Sequence, residues 1–150
     1  MSKWVTLKAA DGHELSAYIA RPEGEAIGAL VVIQEIFGVN SHIRSVADGY
    51  AKDGFVVIAP ALFDRSEKNV ELKYEGDDLK KAYELYQKLN PVTALQDVAA
   101  AYDHLKSEGK GNWRHRLLLR RFHELAKRHS RRGRQNGAIL RRRILRRGHR

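Results

Sequence analysis

Cysteine is absent from the 150 residues, which excludes disulfides, a thiolate zinc site and a thiol nucleophile from the chain as written. Long apolar runs are absent too. No stretch approaches the length that spans a bilayer, and Met1-Ser2-Lys3-Trp4 is not followed by an apolar run of signal-peptide length, so a cytoplasmic location is expected. Residues 112–150 lack almost all lysine and acid: Lys127 and Glu124 stand alone among 14 arginines, for a net charge of +14. Residues 1–111 carry ten Lys and three Arg against 17 Asp and Glu, a net charge of −4. The overall formal charge of +10 therefore resides entirely in the tail. Charge spread over a domain, or confined to a recognisable module, points to nucleic acid or anionic membrane; this distribution is neither. A hydrophobic content of 43% and this length fit one globular domain, assigned to residues 1–111, with 112–150 as an Arg-rich piece of different composition.

Within 1–111 the periodicities are those of an α/β domain. Trp4–Leu7 and Leu15–Ala20 are short β-rich runs separated by the turn signal Asp11-Gly12, and read as an opening hairpin. Ala29-Leu30-Val31-Val32-Ile33 and Phe55-Val56-Val57-Ile58-Ala59 are continuous rather than alternating, as in strands buried on both faces of a parallel sheet. Between them, Ser41 is read as an N-cap, followed by Ile43, Val46, Ala47 and Tyr50 at helical spacing up to Gly54. Such a strand, helix, strand unit implies a right-handed parallel crossover. A second amphipathic helix runs from Asp77 to Leu89, with Leu79, Ala82, Tyr83, Leu85 and Tyr86 assigned to its inner face. A third opens at Pro91 or Thr93 and keeps its period through Ala94, Leu95, Val98, Ala101, Tyr102 and Leu105 to Gly109. A buried strand is expected next; the arginine-flanked run Leu117-Leu118-Leu119 is no such strand.

The word Gln34-Glu35-Ile36-Phe37-Gly38-Val39-Asn40 ends a buried strand. His42-Ile43-Arg44, Asp48-Gly49-Tyr50-Ala51, Gly54-Phe55 and Ala59-Pro60-Ala61-Leu62-Phe63 follow it. In these words residues 1–111 resemble the dienelactone hydrolases. The resemblance implies the N-terminal portion of an α/β-hydrolase fold and a Cys-His-Asp triad acting on small-molecule esters or lactones, without a cofactor or metal. It also implies that Glu35 contacts the nucleophilic thiol and that the backbone N–H of Ile36 contributes to the oxyanion hole. Independently, residues just past the C-terminal ends of strands in an open parallel sheet line the ligand crevice, which puts Glu35 at its mouth. The alternative is a solvated loop carboxylate. Tyr83 matches a substrate-contacting position of the family, the alternative being a core tyrosine. Where family members that bind an anionic lactone carry an arginine one turn earlier, this chain has Leu79 beside Lys80, which argues against dienelactone itself. His13, His42 and His104 show no metal-ligand spacing.

The rest of the family's triad has no counterpart. Its nucleophile sits in a Gly-x-Cys-x-Gly elbow directly after the strand expected at residue 112, and neither that elbow nor a Gly-x-Ser-x-Gly version occurs. Arginine codons of the CGN type read one nucleotide along become GNN codons for Val, Ala, Asp, Glu and Gly. Read so, Trp113 through Arg121 permit the peptide GVIGYCFGG, a strand followed by the missing elbow, with only its first Gly forced. Ile144 through His149 likewise permit YYGG, the word that follows the elbow in this family. The tail is accordingly read as a frameshifted continuation and the chain as inactive. A rival reading makes 112–150 a basic tail that binds nucleic acid or anionic membrane non-specifically through phosphate contacts, but no aromatic platform or base-reading motif accompanies the arginines. A third makes the chain a partly folded, non-functional polypeptide with a disordered tail.

Overall fold

The structure is a computed structural model and describes residues 1–109. Its strands are β1 (Ser2–Lys8), β2 (Glu14–Ala20), β3 (Gly28–Val31) and β4 (Phe55–Pro60), and its helices α1 (Ser41–Lys52), α2 (Asp77–Lys88) and α3 (Pro91–Glu108). The four strands form one mixed sheet in the order β1-β2-β4-β3. β1 and β2 are the expected antiparallel hairpin, paired from Ser2 with Ala20 to Lys8 with Glu14. β2 is antiparallel to β4, and β3 and β4 are parallel, Gly28 opposite Phe55 and Val31 opposite Ile58. The parallel pair is joined through α1, the crossover inferred from the two continuous apolar runs.

The reason for those continuous runs lies in the two core layers. Ala29, Val31, Val56 and Ile58 point to one face, where they meet Ala101 and Leu105 of α3 together with Leu15, Ala17 and Ile19. Leu30, Val32, Val57 and Ala59 point to the other, against Ile43, Ala47 and Ala51 of α1. A strand covered on both faces has no solvent side on which to place polar residues. α1 ends at Lys52 and is capped by Asp53, after which Gly54 adopts φ +96, a conformation other residues rarely take, to start the return into β4.

Two assignments shift, and of the two expected starts of α3 the structure takes the first. The cap of α1 is Asn40 rather than Ser41: Asn40 is extended, and its Oδ1 accepts the Ile43 N–H at 3.2 Å, while Ser41 is the first helical residue. α3 opens at Pro91, capped by the Asn90 side chain on the Val92 N–H. Tyr83, Tyr86 and Leu95 lie outside the buried stripes. α2 buries only Ala82 and Leu85, and α3 buries Ala94, Asp97, Ala101 and Leu105. Each of the three sits one residue, or about 100° of helix, from the buried line.

Candidate active site

β3 and β4 run in the same direction, and beyond their C-terminal ends lie residues 32–40 and 61–65. The two segments are stitched together. Val32 continues the ladder by donating to the Ile58 carbonyl at 2.9 Å, and the buried Gln34 side chain accepts the Leu62 N–H at 2.9 Å through Oε1. A buried amide side chain must find partners for both ends. Gln34 does so by also donating through Nε2 to the Glu35 carbonyl at 3.3 Å.

The same Glu35 carbonyl accepts the Gly38 N–H at 3.3 Å, closing a tight turn over residues 35–38. That turn demands glycine. Gly38 has φ +81, and a Cβ built there would lie 2.0 Å from the Val70 carbonyl oxygen. With the Glu35 carbonyl drawn toward Gln34 and Gly38, the Ile36 N–H of the same trans peptide plane must point the opposite way. Phe37, fully buried, anchors the turn in a third apolar cluster with Ile36, Phe63, Val70, Leu72, Ala82 and Leu85, which also seats α2.

Residues 70–74 lie against this turn. Gly38 bridges Glu71, the Leu72 N–H donates to the Phe37 carbonyl at 2.9 Å, and the Asn40 side chain donates to the Leu72 carbonyl at 3.1 Å. Arg44 of α1 donates to the Val39 carbonyl at 2.9 Å and pairs with Glu71 at 2.7 Å. The segment delivers Tyr74, whose hydroxyl donates to Glu35 Oε2 at 2.9 Å. The ring of Tyr74 packs on Phe37 at a centroid distance of 4.3 Å, and His42 meets it edge-on at 6.1 Å. Burial pushes the Tyr74 phenol above its ordinary value; the Asn40 side chain opposes this and the Glu35 carboxylate adds to it.

Glu35 is half-buried and Ile36 buried, both in the segment that follows the C-terminal end of β3. Tyr83 is on α2 with 43% of its surface exposed and makes no hydrogen bond to Glu35 among the described residues. Tyr74 was not legible as a candidate: it sits outside any periodic segment, and only the pairing of residues 70–72 with the 35–38 turn brings it to Glu35. Grooves of about 320, 420 and 550 Å³ open elsewhere on the surface and none is lined by Glu35 or Tyr74. Among the described residues no group of three His, Cys, Asp or Glu is placed to hold a metal, and no helix is long and apolar enough to cross a membrane.

Comparison with known proteins settles the lineage. Residues 15–115 match the family model described as the dienelactone hydrolase family. The chain belongs to the dienelactone hydrolase family. A carboxymethylenebutenolidase homologue of Synechocystis sp. is 38% identical over 90 residues, covering 58% of this chain and 36% of its own. A second, from Salmonella typhi, is 33% identical over 128 residues, covering 81% and 44%. The crystal structure of a dienelactone hydrolase homologue from Klebsiella pneumoniae superposes with a TM-score of 0.61 at 30% identity, over 79% of this chain and 49% of that one. The fold is thus part of an α/β-hydrolase, and this dienelactone hydrolase family chain spans less than half the length of each of these three relatives. The tail assignments, both the frameshift and the anionic-polymer reading, concern residues 112–150, which lie outside the described residues.

Proposed function

We propose that residues 1–111 are the front portion of a carboxylic ester or lactone hydrolase, with Glu35 as the carboxylate beside the nucleophile and the Ile36 N–H as an oxyanion-hole donor. One observation carries the reading: the Glu35–Gly38 turn holds a half-buried carboxylate at the strand ends and turns the next N–H away from its own carbonyl. A backbone N–H fixed by a rigid turn can stabilise a developing oxyanion without reorganising at the moment of reaction. A carboxylate beside a thiol disfavours the free thiolate until substrate displaces it, which makes resting reactivity low and catalysis substrate-triggered.

The substrates that suit this chain have a neutral acyl part. Leu79 packs against the cluster beneath the turn, and Lys80 is exposed on α2 among Glu67, Asp77, Lys81 and Glu84, so α2 offers no inward cation for an anionic lactone. Tyr83 remains a candidate contact for a substrate approaching the exposed side of α2.

The chain as written has no thiol and no serine elbow, hence no covalent route to hydrolysis. We assign 112–150 to a shifted reading frame, a reading supported by the switch from lysine to arginine and by the elbow and YYGG words recovered one nucleotide along. The chain as written is expected to hydrolyse neither p-nitrophenyl acetate nor a lactone above buffer background. Turnover that survives purification and disappears in Glu35→Ala contradicts that expectation. The coding DNA across codons 108 to 124 tests the frame separately: an in-frame arginine-rich segment in independent reads, with no extended frame one nucleotide along, removes its support.

A further inference from the structure

We propose that Tyr74 is the positioning residue for Glu35, its hydroxyl holding one carboxylate oxygen so that the other faces the crevice. The inference rests on the reading of Glu35 as the site carboxylate and adds a partner that the triad does not contain.

Three contacts support it. The Tyr74 hydroxyl is 2.9 Å from Glu35 Oε2, within the ordinary range of an O–H···O hydrogen bond. The ring is held on two sides, by Phe37 at 4.3 Å and by His42 at 6.1 Å. The backbone that carries it is tied to the catalytic turn by the Gly38–Glu71 bridge and by the bonds of Leu72 to Phe37 and Asn40. A glutamate on a turn has three side-chain torsions, and an unanchored one samples many orientations. Anchoring Oε2 removes most of that freedom and leaves Oε1 to accept a hydrogen bond from the protonated nucleophile. The residues facing the pair are Phe37, Asn40 and His42; Lys73 precedes Tyr74 in the chain and its backbone N–H is bound to Asp78 at 2.8 Å.

The test uses the chain as it exists, labelled with ¹³C at tyrosine Cζ and glutamate Cδ and followed by NMR, with Tyr74→Phe assigning the Tyr74 signal. Glu35→Gln is expected to lower the titration midpoint of Tyr74 by about 0.5–1 pH unit, because a carboxylate acceptor favours the neutral phenol. Tyr74→Phe keeps the ring on Phe37, so the unfolding midpoint should hold, while the Glu35 Cδ signal shifts and its side-chain couplings average over rotamers. A residue that only packs would do the reverse, lowering stability and leaving Glu35 unchanged. An unmoved Tyr74 midpoint in Glu35→Gln, or unchanged Glu35 couplings in Tyr74→Phe, overturns the proposal. Both readouts are independent of turnover. A Glu35 that proves dispensable for hydrolysis in a complete enzyme would sink the functional reading while leaving this contact standing.

Discussion

Single positions decide whether the turn at the strand ends forms. Gly38 combines φ +81 with a virtual Cβ 2.0 Å from the Val70 oxygen, and the atom it meets is backbone that cannot swing aside. Gly38→Ala is expected to cost at least about 2 kcal/mol from strain and overpacking together, and to detach residues 70–74 from Glu35. Urea unfolding reads the first effect and the Tyr74 Cζ shift the second; an unchanged midpoint would show that the turn relaxes. Asp11 shows a different single-residue effect. Hydrogen bonds from Arg65, and then from the His13 N–H, lower its carboxyl to about 2. Its folded value lies below its unfolded one, so the stabilisation is present above about pH 4 and is lost as pH falls toward 2. Asp11→Asn should therefore flatten the fall in urea midpoint between pH 4 and pH 2, and an identical slope in both proteins would contradict the assignment. Glu35 could be singled out as a candidate at this scale because it belongs to a seven-residue word. Tyr74 was not, because its partner is 39 positions away and hydrogen bonds between loops leave no period.

Among the elements, the parallel pair β3 and β4 with its α1 crossover could be read directly, since burial on both faces imposes an uninterrupted apolar run. The helix faces were harder. On α3 a fully buried acid, Asp97, shares the inner stripe with Ala94, Ala101 and Leu105, and no hydrophobic pattern can announce it. Arg65, just past β4, supplies the reason, giving Nε and Nη2 to the two Asp97 oxygens at 2.8 and 2.7 Å and Nη1 to Asp11 in the hairpin turn at 2.7 Å. One guanidinium so fastens the β1–β2 turn, the loop after β4 and α3. Arg65→Ala leaves a buried carboxylate unpaired and is expected to cost about 3–5 kcal/mol. The double replacement Arg65→Met with Asp97→Leu should cost less than Arg65→Ala alone, since no charge is then stranded. Paired urea titrations measure the difference, and a double variant less stable than the single one would show that the pair itself stabilises the fold.

The whole molecule is a sheet with one side unfinished among the described residues: β3 pairs with β4 alone, although α1 and α3 cover both of its faces. A buried parallel strand with one row of backbone groups unpaired promotes association, and Ile27 beside it is 68% exposed. Sedimentation of the chain as written should accordingly show concentration-dependent self-association; a monomer at all concentrations would mean that the edge is covered. The split between an acidic front of net charge −4 and a tail of +14 was visible from composition, and so was the missing elbow. The most direct test of the central claim is hydrolysis of p-nitrophenyl acetate and a neutral lactone by the protein read one nucleotide along from codon 113. The account predicts turnover that is abolished when the elbow cysteine is replaced by alanine and reduced at least about tenfold by Glu35→Ala. A folded restored protein with no turnover, or with turnover indifferent to both changes, would contradict it.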